Sequence, residues 1–87
     1  MAGRSEANIN IRVGRNLRMI RLRKRLMQID VAVATDLHRT YISKIETGKA
    51  RITLDLLRKL VRGLEVTPKE LMEGKDLALA QQTVYKT

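Results

Sequence analysis

The fold turns on residues 28–48, which read Gln28-Ile29-Asp30-Val31-Ala32-Val33-Ala34, Thr35-Asp36-Leu37-His38 and Arg39-Thr40-Tyr41-Ile42-Ser43-Lys44-Ile45-Glu46-Thr47-Gly48. The first segment predicts a short helix over 28–34 with Val31 and Ala32 facing inward. Thr35-Asp36-Leu37 leaves room only for a tight turn. A second short helix fits 39–47, with Ile42 and Ile45 as its inward pair, and Gly48 stands where a left-handed helix stop belongs. Two helices joined this tightly cross near a right angle, which demands a small contact residue on the first, and Ala32 supplies it. Val31, Leu37, Ile42 and Ile45 give the apolar flanks. The outward residues of the second helix, Arg39, Thr40, Ser43 and Lys44, are all hydrogen-bonding types suited to base edges and phosphates. His38, just ahead of that helix, reads as a cap in preference to a base reader.

Outward from this stretch the pattern stays helical. Val13, Leu17 and Ile20 recur at three- and four-residue steps with Arg12, Arg15, Arg18 and Arg21 between them, predicting an amphipathic helix from Ile9 to near Arg25. Thr53 is a candidate N-cap with Asp55 in the first turn. Leu54, Leu57, Leu60, Val61 and Leu64 make the apolar face of a fourth helix. Thr67-Pro68-Lys69-Glu70 has the form of a capping box with proline at the first helical position, followed by Leu71 and Met72 packing back. The expected architecture is all-α, a compact bundle of about five short helices in one domain over 9–74. Residues 1–8 read as a flexible N-terminal arm. Residues 75–87 read as a tail or last helix whose Leu77 and Leu79 cover the core or form a dimer seam.

Composition narrows the function. Eighteen Lys and Arg against nine Asp and Glu leave a net charge of +9, and from Arg12 to Arg25 there are seven basic residues and no acid. A small domain this basic points to a polyanion, nucleic acid ahead of an anionic membrane surface. A membrane-bound amphipathic helix would have to expose Val13, Leu17 and Ile20, which are needed to cover the motif. There is no cysteine and only one histidine. Disulfides, thiolate metal sites and cysteine nucleophiles are thereby excluded, and no acid, base and nucleophile set can be assembled. No metal, cofactor or small-molecule ligand is expected, nor enzymatic activity. No secretory leader or membrane span is evident, so the expected compartment is the cytoplasm.

The run Gln28-Ile29-Asp30-Val31-Ala32 followed by Leu37-His38-Arg39-Thr40-Tyr41-Ile42-Ser43-Lys44-Ile45-Glu46-Thr47-Gly48-Lys49 resembles the phage repressor and Cro type of helix-turn-helix domain, also known as the xenobiotic-response-element type. The resemblance spans about Ile11 to Met72 and includes the closing Gly63-Leu64-Glu65-Val66-Thr67-Pro68-Lys69-Glu70-Leu71. Within that family, Leu-His-Arg-Thr-Tyr-Ile-Ser in a small stand-alone chain resembles the controller proteins of restriction-modification systems. The resemblance implies a lambda-repressor-like fold that binds double-stranded DNA. By the same resemblance Arg39, Thr40, Ser43 and Lys44 are implied to read bases, with Arg39 on guanine. Gln28, Tyr41, Lys49 and Arg51 are implied to grip phosphates. Glu46 is implied to be structural, tied to a first-helix arginine, Arg18 or Arg21.

Four positions depart from the family pattern. Met27 stands where a capping Thr or Ser is usual, Arg25 and Asp36 stand where Gly is usual, and Thr35 replaces an apolar core residue. Together they predict a less stable motif. One short recognition helix reads only a few base pairs, so a homodimer on a palindromic operator is expected, paired through Leu64 to Leu79. The competing reading is an antitoxin or other protein-interaction module, with DNA binding secondary and the tail as its binding segment.

Overall fold

A computed structural model describes residues 2–74, with side chains from Ile9 onward. Five helices follow in order: α1 Ala2–Arg23, α2 Gln28–Thr35, α3 Arg39–Glu46, α4 Leu54–Leu64 and α5 Pro68–Glu73. No strand occurs among the described residues. Each helix contributes a narrow apolar stripe to one core. Val13, Leu17 and Ile20 come from α1, Val31 and Ala32 from α2, Ile42 and Ile45 from α3. Leu56, Leu60 and Leu64 of α4 and Leu71 of α5 complete it, with Ala50 from the α3–α4 loop. α1 packs against both α3 and α5, and α2 against α3 and α4.

Two of these packings are close backbone crossings. A Cβ on Gly14 of α1 would fall inside the carbonyl oxygen of Ile45, so α1 and α3 meet backbone to backbone. A Cβ on Gly63 of α4 would sit 2.6 Å from Thr35 Cγ2 and 2.8 Å from the Ala34 oxygen. Polar side chains then fasten the ends. Asn16 Nδ2 donates to the Leu71 carbonyl at 2.6 Å, and Asn10 Oδ1 accepts from the Ile52 N–H at 3.0 Å.

The helix ends explain how the chain tolerates its departures from pattern. Arg25, Asp36 and Glu65 all take positive φ, at 59°, 58° and 56°, each closing a helix in the left-handed conformation that favours glycine. At Asp36 the backbone N–H reaches the Ala32 and Val33 carbonyls, which makes the turn of the motif. Met27 has no side-chain oxygen to cap α2. Asp30 partly replaces it, its Oδ2 accepting from the Met27 N–H at 2.7 Å. Thr35 is buried in the apolar core, and its hydroxyl donates back to the Val31 carbonyl at 2.7 Å, so no polar group is stranded.

Several expectations need correction. α1 begins at Ala2, so the stretch read as an arm carries helical backbone. In α4 the inward leucine of the first turn is Leu56, and Leu54 is exposed. Leu71 is fully buried, but its neighbour Met72 stays at the surface. Leu77 and Leu79 lie outside the described residues.

Candidate nucleic-acid interface

α3 has both the length and the exposure of a reading helix. It starts cleanly because His38 caps it, Nδ1 accepting from the Thr40 N–H at 3.2 Å. Ile42 and Ile45 are fully buried and fix its rotation. That leaves Arg39, Thr40 and Lys44 exposed and Ser43 half-buried on the surface that the core does not claim. Tyr41 differs from expectation. It is half-buried and packs against the core.

The loop after α3 adds two cations. It opens by closing the helix around left-handed Gly48, the Lys49 N–H donating back to the Lys44 carbonyl at 2.9 Å. Ala50 is then buried as an anchor, and Lys49 and Arg51 on either side of it are exposed. The N–H of Ile52, held by Asn10, locks the loop to α1. Seven of the eight sequence-predicted residues, Arg39, Thr40, Tyr41, Ser43, Lys44, Lys49 and Arg51, therefore lie on α3 or the loop it runs into.

Gln28, at the N-terminus of α2, is joined to them by a chain of hydrogen bonds. Arg21 of α1 meets Glu46 of α3 in a two-pronged ion pair, Nε to Oε2 at 2.6 Å and Nη2 to Oε1 at 3.1 Å. The remaining Arg21 nitrogen, Nη1, donates to the Leu26 carbonyl at 2.9 Å. Glu46 Oε1 also accepts from Gln28 Nε2 at 3.2 Å, and Gln28 Oε1 accepts from Arg39 Nη1 at 3.5 Å. The pair is nearly enclosed, with side-chain exposures of 12% for Arg21 and 5% for Glu46. The hydrogen bond that Arg21 donates to Glu46 is the main reason the Arg21 pKa lies above its ordinary value, with burial opposing it. A raised base pKa is a stabilising contribution lost only as pH climbs past the arginine range, so the Arg21 guanidinium stays charged at neutral pH. Arg21 is thus the first-helix partner of Glu46.

Sequence reasoning placed the outward residues and the Glu46 tie. It missed the two glycine crossings and the Gln28 bridge, because a glycine inside a helix and a contact between residues 28 and 46 leave no periodic trace.

Two short helices around a left-handed turn, the second capped, clamped and offering donors to solvent, define a DNA-reading helix-turn-helix. A family model described as helix-turn-helix matches residues 17–71, and the chain belongs to that family of DNA-binding transcription regulators. It is similar to control protein C.BamHI of Bacillus amyloliquefaciens, 41% identical over 76 residues that cover 86% of this chain and 94% of that one. It is similar also to control protein C.MunI of a Mycoplasma species, 43% identical over 65 residues, 74% of this chain and 88% of that one. Among solved structures it matches the restriction-modification controller protein C.AhdI from Aeromonas hydrophila. That match has a TM-score of 0.67 at 33% identity and covers 70% of this chain and 92% of that one. No described helix is long and apolar enough to cross a membrane.

Proposed function

We propose that the chain is a sequence-specific regulator of transcription that occupies a palindromic operator as a homodimer and controls genes of a restriction-modification system. The observation that carries this is α3, whose exposed Arg39, Thr40 and Lys44 and half-buried Ser43 stand outside a rotation fixed by Ile42 and Ile45. In this reading Arg39 takes the two acceptors of a guanine in the major groove, and Thr40, Ser43 and Lys44 read the neighbouring base pairs. Gln28, Tyr41, Lys49 and Arg51 hold phosphates on either side. The kinship with control proteins supports the restriction-modification assignment. The activity is binding alone, without a cofactor, metal or small-molecule effector, and the compartment is the cytoplasm, where operator DNA lies.

Of the stretch Leu64 to Leu79 expected to pair, Leu64 and Leu71 are core residues, which leaves the exposed side of α5 among the described residues. In our reading the copies pair along α1 and α5. There Ile9 and Met72 are exposed at 40% and 42% beside a cleft of about 240 Å³, which Arg12, Lys69 and Glu73 also line. Opposite charges around an apolar centre suit a two-fold pairing, in which each copy offers both signs. None of the α3 reading residues lines that cleft.

The test is binding-site selection from random duplex DNA, on wild type and on Arg39→Ala, at about physiological salt. A palindromic consensus in wild type, with the guanine preference lost in Arg39→Ala and salt-sensitive residual binding kept, is the expected result. Recovery of no consensus by wild type would overturn the proposal and move the weight to a protein partner.

A further inference from the structure

We infer that Asn10 is a positioning residue for the grip on DNA: with Ile11 beside it, it clasps the loop between α3 and α4 at both ends and so presents Lys49 and Arg51 to phosphates. The inference rests on the proposed reading of those two cations as phosphate contacts and says what holds them in place.

The loop needs such a clasp. Residues 49–53 lie in no helix or strand, so no regular ladder of backbone hydrogen bonds fixes them. Lys49 and Arg51 are exposed, whereas Gly48 and Ile52 are half-buried and Ala50 is buried. One turn of α1 reaches both ends of this span. Ile11 lies against Gly48, where a Cβ would stand 3.0 Å from Ile11 Cγ1 and 3.3 Å from its Cα. Asn10 lies at the far end, its Oδ1 accepting from the Ile52 N–H at 3.0 Å across 42 positions of sequence. Ala50 and Ile52 also hold the loop by packing on the core. Apolar burial has no direction, however, and a hydrogen bond does. The bond to Asn10 therefore sets how the backbone is turned on either side of Ala50, and with it where the two cations point.

The residue type fits the task. A backbone N–H only donates, so it faces the amide oxygen of Asn10, which is an acceptor without a charge. A carboxylate in that place, bonded to the residue after Arg51, would oppose an incoming phosphate. The consequence concerns affinity and not sequence. Phosphate contacts fix a protein's register on the duplex without reading bases. A loop ordered before binding does not lose that freedom on binding. Asn10 thereby tightens binding to every duplex alike, and it does so through Lys49 and Arg51.

The experiment titrates the selected duplex, and one with a base pair of the site replaced, with four proteins. These are wild type, Asn10→Ala, the Lys49→Ala, Arg51→Ala protein, and that protein with Asn10→Ala added. Far-UV circular dichroism and thermal unfolding run alongside as the check on folding. Asn10→Ala is expected to weaken binding to both duplexes by one factor of about three- to tenfold, with base preference kept. In the protein lacking both cations the same change is expected to cost less than about twofold. An equal loss in the two backgrounds would mean that Asn10 does not act through the loop cations and would overturn the inference. No loss in wild type, or a loss confined to one duplex, would overturn it equally. If Asn10→Ala does not fold, a synthetic chain with an ester in place of the amide between Arg51 and Ile52 removes the donor and keeps every side chain, and the same outcomes decide. Wild type that binds no more tightly than the Lys49→Ala, Arg51→Ala protein overturns the reading beneath instead, which keeps the two failures apart.

Discussion

Glu46 carries more of the motif than any exposed residue, because three helices meet at its carboxylate. It accepts from Arg21 and Gln28 and sits 5% exposed. Replacing it with alanine leaves a nearly buried guanidinium with only the Leu26 carbonyl. The expected cost is roughly 2–3 kcal/mol, below that of a fully enclosed pair because one edge faces solvent, and chemical denaturation of Glu46→Ala measures it. Gly14 makes a second demand at this scale. Even one methyl there collides with the Ile45 backbone, so Gly14→Ala must force α1 from α3. The expected cost is about 2 kcal/mol or more, read as a lowered Tm with operator affinity falling in step.

At the scale of elements, the helix ends set the stability. Arg25, Asp36 and Glu65 hold left-handed backbone with full side chains, and of the three Asp36 is the type that best tolerates it. Arg25→Gly is therefore expected to raise stability by about 0.5–1 kcal/mol, and Asp36→Gly by less, as differential scanning calorimetry would record. If Arg25→Gly lowered stability, the strain assigned to that turn would be wrong.

The elements themselves were legible because their apolar residues recur with a clear period: α2 and α3 start at the residues expected, and α3 keeps Ile42 and Ile45 inward. Fine phase was less legible. The α4 run Leu54-Asp55-Leu56-Leu57 offers a leucine to either side, and only the packing of α2 against α4 selects Leu56 over Leu54. The start of α1 was missed because nothing between Ala2 and Ile9 shows an apolar period, and Gly3, Ser5 and Asn8 there are poor helix formers.

For the molecule as a whole, charge and symmetry decide behaviour on DNA. A net +9 chain that neutralises phosphates must release counterions, so affinity should fall steeply with salt. Removing one phosphate contact with Lys49→Ala should flatten the slope of log K against log salt by about 0.9, with base preference unchanged. An unchanged slope would remove Lys49 from the interface. Pairing along α1 and α5 is expected to give a concentration-dependent dimer by sedimentation, which Met72→Lys weakens without unfolding the domain. The candidate site was legible in outline at this scale, since the basic charge and the outward α3 residues are sequence facts. The route from Arg21 to Arg39 was not, because it joins residues that only the folded crossing of α1, α2 and α3 brings together.

The central claim is that Arg39 of α3 reads a guanine, and the most direct measurement is a coupling cycle. Wild type and Arg39→Ala are titrated against the selected duplex and against the same duplex with that guanine replaced by 7-deazaguanine, which lacks the N7 acceptor. Wild type is expected to lose about 1–3 kcal/mol on the altered duplex, and Arg39→Ala to bind both equally. Equal losses for the two proteins would contradict the claim, because the N7 acceptor would then be read by some other group.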